Sequence, residues 1–257
     1  MSLCVFCQTG RPTKEHVCPQ WISRLIREYK SGDTFTTIRR RPDGNDHAWT
    51  GNIIDIQAKI ACRDCNGGWM SRIENDRAKP LLSPMIATGR PTYLTSPERR
   101  SIALWAQKTA MTFEYTAERY REHRTVFFTD PERMALKQGG EPHEDVAVWV
   151  AHYEGHRAST FHSAMDTLIS TVRKEAYAVH RSTMTADHFA FQLIAVRDLN
   201  SGNPVPLASL GGIDMNRAAQ QAILPVWPRL AAGAIPWPPP SGLNDEAFED
   251  FIKSWTN

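Results

Sequence analysis

The sequence predicts an α+β protein in two parts, a small cysteine-held module over residues 1–80 and a larger α+β domain over residues 81–257. Three observations point there. All five cysteines (4, 7, 18, 62 and 65) fall in the first quarter of the 257 residues, and four of them form Cys-x-x-Cys pairs. Strand-like alternation and helix-like periodicity both occur, in segments of ordinary length. Pro80 stands where the cysteine-bearing stretch ends and the pattern changes.

The first pair, CVFC at 4–7, reads as a metal knuckle, because two intervening residues let both thiolates reach one tetrahedral ion. A disulfide framework would need an exported chain and does not favour two such short loops. Thr13 to Trp21 leads into a short amphipathic helix with Trp21, Leu25 and Ile26 on its apolar side. Cys18, between Val17 and Pro19, has no partner at chelating spacing and is expected as a small buried hydrophobe. Thr34 to Ile38 is strand-like, the basic run Arg39-Arg40-Arg41 follows, and Asp43-Gly44-Asn45-Asp46 reads as a turn.

Residues 53–61, IIDIQAKIA, place Ile54, Ile56, Ala58 and Ile60 on one face of a strand and Asp55, Gln57 and Lys59 on the other. This strand delivers the chain into the second pair, CRDC at 62–65. Gly67-Gly68 loosens the turn, and Trp69, Met70, Ile73 and Arg77 have the spacing of a helix expected to end at Pro80. Two knuckles sharing one ion, with a hairpin between and a helix after, form a zinc-stapled treble-clef ββα module. Cys4, Cys7, Cys62 and Cys65 are its structural Zn²⁺ ligands.

Beyond residue 80, Ser96-Pro97-Glu98 starts a helix with Ile102, Trp105, Thr109 and Phe113 down one buried face. Arg124 to Phe128, Val146 to Tyr153 and His188 to Arg197 read as strands, the last apolar on both faces as a central strand would be. Thr129-Asp130-Pro131-Glu132 starts a short helix closed by Gly139-Gly140. Pro225 to Pro240 is expected to wrap the surface in an extended form. Asn244 then caps a last helix bearing Phe248, Phe251, Ile252 and Trp255. Trp105 and Trp149 are expected in the core. His152, His156 and His162 do not share a ligand face at their spacing.

Charge narrows the partners. The formal net charge is +2, but residues 1–80 hold 13 Lys/Arg against 9 Asp/Glu, so the basic excess lies with the cysteines and favours an anionic partner. No apolar stretch approaches the ~20 residues of a bilayer span, and no apolar leader opens the chain. A cytoplasmic protein with no membrane partner is the expectation. No phosphate-binding glycine loop and no Ser or Cys nucleophile motif occurs.

The chemistry-bearing stretch is TKEHVCPQW at 13–21. A histidine beside a carboxylate means little alone, but the knuckles would hold Glu15-His16 near the start of the helix that follows Cys65. A neutral imidazole there can take a proton from water, while a carboxylate and an amide oxygen can hold a hard divalent cation.

The order C-x-x-C, then KEHV-x-P, then C-x-x-C-N with an acid eight residues on in WMSRIE resembles the HNH (His-Me finger) endonucleases. It is most similar to their four-cysteine branch, abundant in bacteria and phages, and the resemblance covers residues 4 to about 80. It implies DNA as the partner and phosphodiester hydrolysis as the reaction. It implies His16 as general base, Glu15 and Asn66 as ligands of a catalytic Mg²⁺ or Mn²⁺, and Glu74 as the acid on the helix. Glu74 could instead pair with Arg72, Arg77 or a neighbouring loop. The familiar pattern carries a further metal-binding histidine on the helix; none lies between His47 and His123, so Asn66 takes that place. His47 is the weaker candidate for the base.

Arg39, Arg40, Arg41, Arg63, Arg72 and Arg77, with Lys79, could line a phosphate path. Residues 81–257 carry no motif and are left to specificity, a homodimer contact or a protein partner. The competing reading is a treble-clef zinc module that binds nucleic acid or protein without catalysis.

Overall fold

The computed structural model describes residues 3–30, 35–39, 47–51, 56–116, 125–170, 174–206, 209, 221–228 and 232–253. Arg40, Arg41, the turn at 43–46, Ile54 and Trp255 lie outside these residues. The side chains of Arg39 and His47 do as well.

The protein is mixed α/β. Strand β1 (Pro12–His16) leads to helix α1 (Gln20–Tyr29), then to the hairpin of β2 (Phe35–Arg39) and β3 (His47–Gly51), and on to β4 (Gln57–Cys62). β4 returns antiparallel to β1, pairing His16 with Gln57 and Pro12 with Cys62. It alternates as expected: Ala58 and Ile60 are buried, Gln57 and Lys59 exposed. The chain then turns helical at α2 (Arg63–Cys65), continues through wide π turns at Asn66–Met70 and Ile73–Ala78, and enters α3 (Lys79–Thr88).

The helix does not end at Pro80. That proline stands in the first turn of α3, where a helix leaves its N–H groups unpaired and the missing donor costs little. Gly89, in the left-handed region at φ +60°, closes α3.

Strand β5 (Thr92–Leu94) precedes α4 (Ser96–Phe113), whose N-cap Thr95 and Glu98 form a reciprocal capping box. α4 is buried on almost every side from Ile102 to Thr112. α5 (Asp130–Gly139) repeats the device with Thr129 and Glu132, and Gly140 closes it. α6 (Asp245–Lys253) is capped by Asn244, whose Oδ1 accepts from the Ala247 N–H at 2.8 Å.

The larger sheet has five antiparallel strands in the order β10-β6-β9-β8-β7: β6 (Val146–His152), β7 (Ser159–Ser170), β8 (Glu175–Ala186), β9 (Phe189–Asp198) and β10 (Ile223–Trp227). β9 is buried over most of its length, as its apolar run predicts. Residues 125–128 are not a strand. The Glu114 carboxylate accepts from the N–H groups of Phe127 and Phe128 at 2.7 and 3.4 Å, which replaces a strand ladder there.

The proline-rich segment does not wrap the surface either. β10 pairs with β6 and β11 (Ile235–Trp237) pairs with β5, with Val226 and Trp237 buried. Pro225 fits because β10 is an edge strand, where a missing donor is tolerated.

One cluster of buried side chains runs from Cys4 and Phe6 through Met70 and Trp105 to Phe191 and Trp237. Phe6 meets Trp69 edge-on at 5.3 Å, and Trp105 meets Phe191 at 5.4 Å. The core therefore passes through residue 80 without a break. Trp149 packs in a second cluster beside Val179 and Val196.

Candidate functional site

The two cysteine pairs meet at one point. The Sγ atoms of Cys4, Cys7, Cys62 and Cys65 all lie within 4.8 Å of one another, and a tetrahedral ZnS₄ centre with bonds of ~2.3 Å needs separations of roughly 3.8 Å. Cys7 and Cys62 are 3.6 Å apart. The four thiols therefore fit a zinc ion.

The local backbone is shaped for this centre. Gln8, at φ +57°, donates its N–H to the Cys4 carbonyl at 2.8 Å, and the Cys65 N–H points at Cys62 Sγ at 3.4 Å. Gly10 is required by close approach: a Cβ there would lie 2.5 Å from Cys62 Cβ and 2.9 Å from its sulfur. Burial pushes the Cys7 thiol up, but N–H donors from Gly10 and Thr9 and the Thr9 hydroxyl outweigh it and bring Cys7 down to about 6. Cys4 and Cys65 are pushed up, burial being the main cause. Thiols this close cannot all ionise without a cation among them.

The expected acids gather beside this centre. Glu15, buried on β1, takes a hydrogen bond from the Asn66 side chain at the start of the π turn. Glu74 also stands near it, but its partner is neither an arginine nor a neighbouring loop. Lys108, from the middle of α4, is bonded to Glu74, and its Nζ is 3.8 Å from Glu15 Oε1. Lys108 is fully buried.

Burial raises Glu15, Lys108 lowers it, Glu74 raises it and Asn66 lowers it, with the balance upward. Burial also opposes the Lys108 charge, yet Glu74 and Glu15 together hold its pKa above the ordinary lysine value. Cys18 is fully buried close by, pushed up to about 12 chiefly by burial, and behaves as the inert hydrophobe expected. Among the described residues, the four cysteines are the only group of three or more His, Cys, Asp or Glu side chains placed to share an ion.

His16 ends β1 and is half-buried. Successive strand side chains alternate in direction, so it leaves the strand on the face opposite Glu15. Its Nε2 is 3.1 Å from Gln20 Nε2 and 3.0 Å from Gln57 Nε2. With both amides oriented as donors, Nε2 is the unprotonated nitrogen and its one lone pair is engaged by them.

Lys14 and Lys59 stand opposite each other across β1 and β4, and both are exposed. Like charges at facing positions repel, so this pair suits an anion lying over the strands beside His16. Single-sequence reading missed it because register, not spacing, brings the two together.

Arg63, Arg72 and Arg77 are exposed, as is Lys79. Arg77 lines a cavity of about 540 Å³ with Arg90, Asp76 and Glu98. That wall carries both signs and does not single out a phosphate. His156 is tied to Asp245 and His152 to Glu154, so the three later histidines form no common site. No helix of the described residues is long and apolar enough to cross a membrane. Compared with known proteins, the chain matches no family model, no curated protein and no solved structure.

Proposed function

We propose that the chain is a metal-dependent DNA endonuclease or nickase in which His16 activates water while Glu15 and Asn66 hold a Mg²⁺ or Mn²⁺ ion. The observation that carries this reading is the meeting of Glu15 with Asn66 directly after the second cysteine pair. A buried carboxylate beside an amide would offer two hard oxygen donors once the amide turns its oxygen towards the ion, which leaves the other positions to water and phosphate. The four thiols act as a structural zinc centre that fixes β1 against the helix carrying Asn66.

A bound divalent ion would offset the charge that gathers on the phosphorane and the leaving oxygen. His16, once its Nε2 is released by the two amides, takes the proton of the attacking water there as the new oxygen–phosphorus bond forms. The opposite bond to phosphorus then breaks, its electron pair leaves with the departing oxygen, and that oxygen takes a proton from solvent. Because Glu15 and His16 leave opposite faces of β1, a phosphate would have to lie across the end of the strand to meet both. Lys14 and Lys59 draw the DNA backbone to that edge without reading sequence.

A non-catalytic zinc module that binds nucleic acid or protein is the second reading, favoured by Lys108, which already neutralises one charge of the acid pair. Nicking of supercoiled plasmid in Mg²⁺ or Mn²⁺ separates the two. His16→Ala, at zinc content equal to wild type, is expected to lose on the order of 10²–10⁴ in rate. Equal activity in both proteins, or none in wild type across metals and substrate forms, would count against the nuclease.

A further inference from the structure

Lys108 has no role in the chemistry proposed above, yet its ammonium is fully buried. An ammonium loses its hydration on burial and persists as a charge only when paired. It reaches the acid cluster from α4, well outside the cysteine-bearing stretch, and it contacts both Glu74 and Glu15. Glu74 binds it directly, whereas Glu15 stands at 3.8 Å and accepts from the Asn66 side chain. The cluster of Glu15, Glu74 and Lys108 thus carries one net negative charge.

We propose that Lys108 is a positioning residue of this site: its ammonium holds Glu74 away from the divalent ion that Glu15 and Asn66 would take, and so limits the centre to one ion on one carboxylate. The inference rests on the metal-binding reading of Glu15 and Asn66. Two free carboxylates and an amide would form a deeper negative well, able to bind an ion firmly without substrate. With Glu74 occupied, the ion is held weakly until phosphate oxygens complete its shell. Lys108 is then a built-in competitor of the metal, supplied by the second half of the chain.

The test is Mn²⁺ binding to the full-length, zinc-loaded protein, measured by calorimetry without DNA. Lys108→Met removes the positive charge and releases Glu74, so Mn²⁺ is expected to bind at least about tenfold more tightly than to wild type. Adding Glu74→Gln to that variant should bring the affinity back to within about threefold of wild type. Lys108→Gln, which keeps a donor for Glu74 but no charge, is measured in parallel, so the result does not depend on the methionine variant folding. A variant with full zinc content that binds Mn²⁺ no better than wild type overturns the proposal, as does a gain that survives in the double variant. No DNA enters the assay. A gain in Mn²⁺ affinity alongside a wild type that cuts nothing would leave this inference standing and remove the nuclease, and the converse pattern would do the reverse.

Discussion

Burial raises the carboxyl of Glu15, and although Lys108 and Asn66 pull it down, the balance with Glu74 leaves it above its ordinary value. The sign follows. A carboxyl whose folded pKa exceeds the unfolded value of about 4.3 disfavours the fold once ionised, so the penalty grows as pH rises from there through the folded pKa. Glu15→Gln is therefore expected to melt above wild type at pH 7 without divalent ions, by roughly 2–4 °C for each kcal/mol recovered. The advantage should vanish towards pH 4. A side chain kept at a cost in stability is one that the fold alone does not require.

Lys108 behaves in the opposite sense. Its pKa is raised, so its contribution is fully present below about 10.4 and is lost as pH rises through the folded value. The melting-temperature gap between wild type and Lys108→Met should stay constant from pH 7 to about 10 and close above that. That Glu15 and Asn66 stand together was legible from motif order alone. Lys108 was not, because a lysine within a helical run reads as solvated until the fold buries it.

The cysteine knuckles show what short-range pattern can specify. Two intervening residues and a glycine at the point of closest approach are local facts, and the four sulfurs come together as the spacing predicts. Gly10→Ala would drive a methyl group into Cys62. It is expected to lower zinc content well below one per chain, as measured by metal analysis after dialysis, and Cys62→Ala to abolish it. Helix starts were equally legible, although α4 is capped by Thr95 rather than Ser96: the Thr129-x-x-Glu132 box of α5 and the Asn244 cap are read from neighbouring residues.

β7 and β8 were not read at all: buried polar residues erase the hydrophobic alternation of β8, and β7 has no fully buried face to set one up. His180 meets Ser182 at 2.9 Å, Arg181 binds Asp166, and Gln192 reaches Thr183. Residues 125–128 misled in the opposite direction, since their β-branched and aromatic residues suggest a strand but Glu114 had taken the N–H groups of Phe127 and Phe128. In both cases a side chain, not the backbone ladder or the solvent, satisfied the polar groups.

One core joins what the sequence divides. Phe6, Met70 and Ile73 share a cluster with Trp105 and Phe191, and Lys108 crosses from α4 to the acids of the cysteine-held part. A fragment of residues 1–80 would leave those apolar faces in water and remove the counter-ion of Glu74. It is expected to bind zinc yet give a poorly dispersed amide NMR spectrum, where the full chain gives a dispersed one. The larger half thus acts first as the wall against which the site is built.

Glu15 is where fold and chemistry diverge most sharply, and plasmid nicking by Glu15→Gln tests the account most directly. With zinc content equal to wild type and melting temperature at or above it, the variant is predicted to lose Mg²⁺- and Mn²⁺-dependent cleavage by about two orders of magnitude or more. Cleavage at the wild-type rate by that stable, zinc-loaded variant would contradict it.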